Sequence, residues 1–435
     1  MSKIVQFHNY AQDRLEYQFI NRPVLIHDSH GEASYFPCIS LFNRTTNSPV
    51  ACPDFERWLF NMNKAERQSP TTLKQKASHL CTFLNFLLWN TSINSIYEIN
   101  IETLRQFLKF FRRKDNGEER SLEGWNRGIG DVYDFLCNYY YYNKDNFDFQ
   151  FTIPDLISAQ SIVNSATNRK AIIKQYNKFS VKPPRRKKVK NRLLLHGYLD
   201  FLLYECEVYD PMIKLAVALG AYAGLREGET VNQRIGSISP VYAGFGRIGK
   251  VVIDLTKDAP FSKEWTGKKP FGEIKVHREQ EVYPDFIPEL MELYSDHLLL
   301  LEQAGYDTSD GAPLFVNSRG EPMNVDAYAQ RLKKVFKEHF IPDLRNLSMR
   351  DGSWPENAAF VEAYEKCYPG AHMLRHWYTM YLVTKTKLSS DEISKWRGDR
   401  NRESMLTYLH VNADMIAAYE NSLYLFQQSM LEEVL

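Results

Sequence analysis

Three short segments of the chain carry side chains that could bind and act on a phosphate group. They are Ala-Gly-Leu-Arg-Glu-Gly-Glu at 223–229, His-Met-Leu-Arg-His at 372–376, and a Gly-Asp pair followed by a tyrosine at 398–408. In the second segment, a spacing of three places His372 and Arg375 on one face of a helix, where both can point at a single small anion.

Two arginines strengthen this interpretation, because a planar guanidinium forms paired hydrogen bonds with a phosphate. Arg226 follows a buried apolar helix and, with Arg375, would place two such groups around one anion. Each residue alone has an ordinary structural explanation. The chain has 26 tyrosines, so Tyr408 alone would more often be a packing residue, and His372 alone a core histidine. Only their joint occurrence indicates a site.

The order and spacing of these segments resemble the tyrosine recombinases, also called the phage-integrase family, over about residues 193–420. The combination of Gly-Leu-Arg-x-x-Glu, His-x-x-Arg and a spaced tyrosine is more specific than any one motif. The matching positions are Arg226 and its acidic partner Glu229, the pair His372 and Arg375, and the nucleophile Tyr408.

The resemblance implies a DNA recombinase or integrase of a mobile element that needs neither a metal nor another cofactor. Tyr408 would attack a DNA phosphodiester, forming a 3′-phosphotyrosine and releasing a 5′-hydroxyl. Arg226 and Arg375 would stabilise the transition state, and His372 would assist by hydrogen bonding or proton transfer. No carboxylate cluster with metal-ligand spacing is found in the sequence, which disfavours a metal-dependent nuclease.

Members of the family also use a lysine on a β-hairpin between the two arginine motifs. The segment 274–284 resembles that hairpin, and Lys275 is the predicted proton donor to the leaving 5′-oxygen. Lys257 is the alternative, because a long stretch with several lysines separates it from residue 272.

The chain departs from the family pattern at Asp399, where a histidine or tryptophan usually follows the glycine. A carboxylate cannot donate a hydrogen bond to phosphate unless it is protonated. We therefore include Asp399 among the site residues as a group that braces Arg226 or Arg375, or caps the following helix. His376 or Trp396 could supply the missing donor.

Two further interpretations follow from the same motifs. A type IB topoisomerase-like enzyme would share the tyrosine and arginines but relax supercoils without exchanging strands. A catalytically impaired DNA-binding protein of the same fold is the other alternative, and Asp399 is the feature that favours it.

Composition limits the class of protein. The chain has 435 residues, of which 44% are hydrophobic and 25% charged, so it is typical of a globular protein with two or three folding units. Its net charge of +1 indicates no partner by itself. The six cysteines form no Cys-x-x-Cys pair, and the longest apolar run, near 215–225, is short and contains glycines. We expect a cytoplasmic protein and, from the resemblance, a prokaryotic nucleoid association.

The patterns along the chain predict a mainly α fold with a small antiparallel β-sheet. Residues 1–52 alternate apolar and polar side chains and predict short strands of unassigned role. Residues 53–165 predict a helical domain that resembles the family's core-binding domain, with helices opening at Ser69-Pro70, Asn100 and Ser121. Residues 193–435 predict a mixed α/β catalytic domain.

Residues 166–192 predict a basic linker between these domains. No acidic residue occurs between Asp155 and Asp200, and Pro183-Pro184 indicates an extended chain. The stretch is either a solvated linker or a DNA-binding segment that follows the phosphate backbone. The candidate DNA-binding residues are Arg185, Arg186, Lys187, Lys188 and Lys190.

The family resemblance also implies the partners. Double-stranded DNA would be held between the helical and catalytic domains, four protomers would assemble on two duplexes, and accessory DNA-bending proteins are candidate partners. The amphipathic stretch 413–435 would dock on a neighbouring protomer or pack on its own domain.

Overall fold

The chain divides into two compact units, Met1–Lys188 and Val189–Leu435. The computed structural model describes residues 14–27, 33–53, 55, 58–59, 70–114, 116–163, 170–185, 194–195, 197–265, 271–350, 354–366, 368–386 and 388–399. The predicted fold class, mainly α with small antiparallel sheets, is confirmed.

The described part of the first unit begins with an antiparallel sheet and continues with helices. Strands β1 to β3 form one sheet, as the alternation in residues 1–52 predicted, and β4 pairs with β5. The elements are β1 (Tyr17–His27), β2 (Ala33–Asn43), β3 (Ser48–Ala51), α1 (Pro70–Asn90), α2 (Ile101–Phe111), α3 (Leu122–Asn143), α4 (Ile153–Leu156), β4 (Ile157–Val163) and β5 (Lys170–Tyr176).

Two of these helices begin where their capping residues predicted. The Asn100 side chain accepts a hydrogen bond from the backbone N–H of Thr103 at 3.0 Å, and Ser121 accepts one from Gly124 at 3.1 Å. The apolar positions of α1 that share one helical face are all buried: Leu73, Ala77, Leu80, Leu84 and Leu87.

The end of this unit differs from the helical pattern expected up to residue 165. Ile157–Val163 forms an antiparallel ladder with Lys170–Tyr176, so part of the predicted linker is also a strand. Both strands contain β-branched residues, among them Ile162 and Ile172, which favour an extended backbone.

The described part of the second unit contains one three-stranded antiparallel sheet, β6-β7-β8, and several packed helices. The elements are α5 (Tyr198–Tyr209), α6 (Lys214–Tyr222), α7 (Glu227–Val231), β6 (Ile238–Tyr242), β7 (Ile248–Leu255), α8 (Pro260–Glu264), β8 (Arg278–Glu281), α9 (Ile287–Gln303), α10 (Val325–Val335), α11 (Ile341–Arg350), α12 (Trp354–Lys366), α13 (His372–Lys385) and α14 (Ser390–Trp396). Residues Phe336–Phe340 form a π-helical turn between α10 and α11.

The predicted strand over 272–283 is shorter in the structure. Only Arg278–Glu281 pairs with β7, and Arg278 lies opposite Leu255. The connection between the two strands includes the short helix α8. The segment therefore does not form a tight hairpin over 274–284, because its first residues make no ladder with β7.

Helix α6 is the centre of the second unit and positions both arginine segments. Its residues from Leu215 to Tyr222 are all buried. A side chain at Gly220 would meet Leu374 of α13 at 3.0 Å, so the absence of one lets the two helices approach closely. This packing brings the beginning of α13 to the chain that follows α6. No helix of the described residues is both long and apolar enough to cross a membrane.

Candidate active site

Arg226 lies in the turn between α6 and α7. Gly224 turns the chain with a φ of +64°, and an added Cβ there would meet the ring of Tyr378 at 2.5 Å. At the beginning of α7, the Glu229 carboxylate accepts a hydrogen bond from the backbone N–H of Arg226 at 3.0 Å. The same carboxylate accepts one from the Arg226 side chain at 2.8 Å, which fixes the guanidinium at the helix terminus.

Glu229 holds a second arginine from the neighbouring sheet. Its side chain is 0% exposed, and its two oxygens accept hydrogen bonds from Nη1 and Nη2 of Arg278 at 3.1 and 3.2 Å. Burial favours a raised pKa for Glu229, but the hydrogen bonds and charges of Arg278 and Arg226 outweigh it and lower the pKa below its ordinary value. Glu229 is therefore held as a carboxylate.

Arg375 lies on α13 and is almost completely enclosed, with 1% of its side chain exposed. Its Nη1 donates to the Gly224 carbonyl, and its Nη2 donates to the Arg397 carbonyl at 2.8 Å and to Asp399 Oδ1 at 2.6 Å. Burial, with the nearby charges of Arg226 and Arg397, lowers the pKa of Arg375 to about 10. It therefore remains a cation at neutral pH.

Asp399 joins the two arginine segments. Its Oδ1 accepts hydrogen bonds from Nη2 of Arg226 at 3.0 Å and from Nη2 of Arg375 at 2.6 Å. Its Oδ2 lies 3.3 Å from Nη1 of Arg397, and its side chain is 3% exposed. This geometry is the one expected of a carboxylate that braces the arginines.

The backbone that carries Asp399 forms a Schellman motif at the end of α14. Gly398 has a φ of +62°, its N–H donates to the Lys395 carbonyl at 3.0 Å, and the Asp399 N–H donates to the Ser394 carbonyl at 3.0 Å. An added Cβ at Gly398 would lie 2.0 Å from Nε of Arg278. Glycine is required here both by the backbone angle and by the approach of Arg278.

These six side chains form an arginine–carboxylate cluster: Arg226, Arg278, Arg375, Arg397, Glu229 and Asp399. Four guanidiniums face two carboxylates, so the cluster has a formal charge of +2. Arg226 is the most exposed member, at 25%. A largely buried excess of positive charge that is most exposed at Arg226 is suited to binding an anion.

The other predicted site residues lie in different environments. His372 is the first residue of α13 and is exposed, and its ring centroid lies 4.6 Å from that of His376. Lys257 is exposed just after β7, and Lys275 is exposed in a bend before β8. Tyr408 lies outside the described residues, as does the stretch 413–435.

The predicted DNA-binding residues fall largely outside the described part of the chain. Arg185 is exposed, and its backbone N–H donates a hydrogen bond to Oε2 of Glu119 at 3.4 Å. The remaining four lie outside the described residues: Arg186, Lys187, Lys188 and Lys190.

Sequence reasoning missed two members of the cluster, Arg278 and Arg397. Arg278 lies within the segment selected for Lys275, and Arg397 directly precedes the Gly-Asp pair. Their proximity to these motifs was a weak signal, since only the folded chain brings Arg278 to Glu229 across 49 positions.

No protein-family model matches the chain, and no curated protein matches it. Among solved structures, the chain is similar to the XerH site-specific recombinase bound to difH substrate, with 18% identity, a TM-score of 0.46 and coverage of 84% of each chain. It is also similar to the Tn1549 transposon integrase in complex with transposon right end DNA, with 13% identity and a TM-score of 0.47 over 85% of this chain and 99% of the integrase.

A third similar structure is the XerA recombinase, with 17% identity and a TM-score of 0.33 over 85% of this chain and 96% of XerA. The identities are 13–18% and the TM-scores 0.33–0.47. A functional assignment therefore rests on the geometry of the cluster. The chain is similar to recombinases and integrases of known structure.

Proposed function

We propose that the protein is a site-specific DNA recombinase or integrase of a mobile element, which cuts and rejoins DNA through a 3′-phosphotyrosine at Tyr408. One observation carries the proposal: the guanidiniums of Arg226 and Arg375 converge on a single oxygen, at 3.0 and 2.6 Å. Two cations that share one oxygen can stabilise the charge on a non-bridging phosphate oxygen in phosphoryl transfer.

The chemistry would proceed without an external energy source. Attack by the phenol oxygen of Tyr408 on phosphorus forms the tyrosine–phosphate bond as the bond to the 5′-oxygen breaks. The phosphoester is conserved, so a 5′-hydroxyl can attack it and reseal the strand. Arg226 and Arg375 would stabilise the added charge on the non-bridging oxygens, where one donor contributes about 3 kcal/mol.

Nearby cations would also activate the nucleophile. A free tyrosine has a pKa of about 10, and positive charge close to the phenol favours its ionised form. The excess charge of the cluster would provide that environment for Tyr408. The direct test is whether the protein becomes covalently attached to DNA through Tyr408.

We propose that His372 assists at the same site. It precedes Arg375 by three residues on α13, so both side chains leave the same face of the helix. We propose that its exposed ring donates a hydrogen bond to the bound phosphate. His376 packs edge-to-face against it and is the second candidate donor.

The two candidate lysines can be separated by changing the leaving group. A thiol has a pKa of about 8.5. A leaving group with sulfur in place of the bridging 5′-oxygen can therefore depart as a thiolate without a proton donor. We expect Lys275→Ala to cleave ordinary DNA at least about 100-fold more slowly than wild type and the sulfur substrate at a similar rate. Lys257→Ala is the matched control. Sulfur rescue of that variant alone would assign the role to Lys257.

The first unit contains a basic groove that would hold DNA. Its cationic lining residues are Arg105, Lys109, Arg112, Arg113 and Lys182, with Glu119 as the single carboxylate. Arg112 donates to Glu119 at 2.7 Å, a contact that lowers the pKa of this carboxyl. Lys109 and Lys182 are exposed. The groove thus carries a net excess of positive charge that can neutralise phosphates.

Salt dependence tests this groove and the basic linker. Each phosphate contact contributes about 0.9 to the slope of log affinity against log salt. We expect the double variant Lys109→Gln/Lys182→Gln to weaken binding to DNA of any sequence and to reduce the slope by about 2. The control is Lys74→Gln/Lys144→Gln, which removes two exposed lysines outside the groove.

Neutralising the linker residues 185–188 should lower the slope in the same way. An unchanged slope in the groove variant would remove the groove from the DNA interface, and an unchanged slope in the linker variant would remove the linker.

Recombination of two duplexes implies an assembly on DNA. By resemblance to the family, we propose a homotetramer on DNA, aided by accessory DNA-bending proteins and acting in the prokaryotic nucleoid. The stoichiometry can be measured by mass analysis of the protein bound to its attachment site.

A further inference from the structure

Arg375 is almost completely shielded from solvent in the described conformation. Its side chain is 1% exposed, and its Nη2 donates both to the Arg397 carbonyl and to Asp399. Nη2 of a guanidinium carries two protons, so both are already used. A phosphate oxygen can reach this nitrogen only if one of the two acceptors leaves.

Asp399 is the acceptor that can leave. The Arg397 carbonyl belongs to the backbone at the end of α14, where Arg397 N–H is bonded to the Ile393 carbonyl at 3.0 Å. The Asp399 carboxylate is a side chain, and rotation about its side-chain torsions would move it without disturbing the Schellman motif. The backbone can thus stay in place while the site opens.

The Asp399 carboxylate also resembles a phosphodiester in its charge and its two oxygen atoms. One of its oxygens is shared by Arg226 and Arg375, and the other lies near Arg397. Two oxygens sharing one negative charge between guanidiniums imitate the non-bridging oxygens of a phosphodiester.

We propose that Asp399 is an internal competitor of the substrate phosphate. In the protein without DNA, its carboxylate fills the oxyanion position between Arg226 and Arg375, and it turns away when a phosphodiester enters. The inference rests on the proposed function for the identity of the phosphodiester. The oxyanion position is defined by the hydrogen bonds that Arg226 and Arg375 donate to Asp399.

This competition would make the site selective for DNA over free anions. A free phosphate or sulfate must displace Asp399 by its own contacts with the cluster. A phosphodiester of bound DNA is delivered by the many contacts along the duplex, so it competes at a high effective concentration. Asp399 is a positioning residue in this scheme, because it keeps the guanidiniums separated and oriented until the phosphate arrives.

The test measures the binding of inorganic sulfate to the full-length protein at constant ionic strength, with chloride as the balancing anion. Asp399→Asn keeps the shape of the side chain and removes its charge. We expect this variant to bind sulfate about tenfold or more tightly than wild type, since one negative charge leaves the cluster. Asp296→Asn removes an exposed charge on α9 and should bind sulfate as wild type does.

Equal or weaker sulfate binding by Asp399→Asn would overturn the proposal. If this variant folds only when an anion replaces the carboxylate, sulfate should restore its thermal transition where chloride does not, which also supports competition. A variant that neither salt restores would show that Asp399 is a structural ion-pair partner only, and the proposal would be overturned.

The sulfate experiment is independent of DNA cleavage. Tighter sulfate binding without any covalent DNA adduct would support the competition and contradict the proposed function. Adduct formation by wild type without a change in sulfate affinity in Asp399→Asn would contradict the competition alone.

Discussion

Wild-type protein incubated with a nicked DNA substrate is expected to become covalently attached to it, and Tyr408→Phe is expected to yield no adduct. The nick lets the short 5′-hydroxyl fragment diffuse away after cleavage, so resealing cannot remove the intermediate. Phenylalanine keeps the ring and lacks the phenol oxygen that is the proposed nucleophile. The adduct is measured as a DNA-dependent shift in protein mass after denaturation, with EDTA present to test for metal independence.

Tyr242→Phe is the matched control for this loss. Tyr242 is 64% exposed on β6, and removing its hydroxyl should leave adduct formation unchanged. An adduct formed by Tyr408→Phe would contradict the assignment of the nucleophile. An adduct from wild type accompanied by relaxation of supercoiled circles, with no strand transfer between duplexes, would instead favour the topoisomerase-like alternative.

The second large effect is expected for Glu229→Ala. This change removes the buried carboxylate that Arg226 and Arg278 share, so that Arg226 keeps only its contact with Asp399. Removing one partner of a buried ion pair costs about 3 kcal/mol or more of unfolding free energy. Displacement of Arg226 should also slow adduct formation by about 100-fold. Denaturant unfolding and single-turnover cleavage measure the two effects.

Glu281→Ala provides a close comparison. Glu281 lies on β8 and pairs with Lys250 at 3.0 Å, but both side chains are 48% exposed. Solvent screening reduces such a pair to about 0.5 kcal/mol. A loss of stability in Glu229→Ala no larger than that in Glu281→Ala would show that the cluster does not depend on the buried carboxylate.

The pH dependence of the unfolding free energy should also show the contribution of Glu229. The pKa of Glu229 is lowered in the folded protein from its unfolded value of 4.5. Its contribution is therefore fully present above pH 4.5 and is lost as the pH falls through the lower folded value. Wild type should lose stability over this acid range more steeply than Glu229→Ala, in which that contribution is missing.

The sequence predicted those helix starts that are determined by contacts between residues close together in the chain. Asn100 and Ser121 begin their helices because a side-chain oxygen accepts a backbone N–H three positions later. The strand over 157–163 escaped prediction because its ladder partner lies beyond the predicted domain boundary. Pairing between strands depends on contacts that hydrophobic periodicity does not report.

The same distinction applies to the site. The contact between Arg226 and Glu229 spans three residues and was readable within one motif. Arg278 was missed because its partner Glu229 lies in a different element, and the sequence offers several basic residues around 257–278 with no local reason to prefer one. For the same reason, the choice between Lys275 and Lys257 as the proton donor stays a prediction.

Gly398 places two requirements on a single position of the chain. It ends α14 in the left-handed conformation that aims the next residue at the cluster, and it leaves the space into which Arg278 fits. A protein engineer who lengthened or recapped this helix would therefore also redirect Asp399 and displace Arg278 of β8. Helix termination and the geometry of the cluster are coupled here, and neither can be redesigned alone.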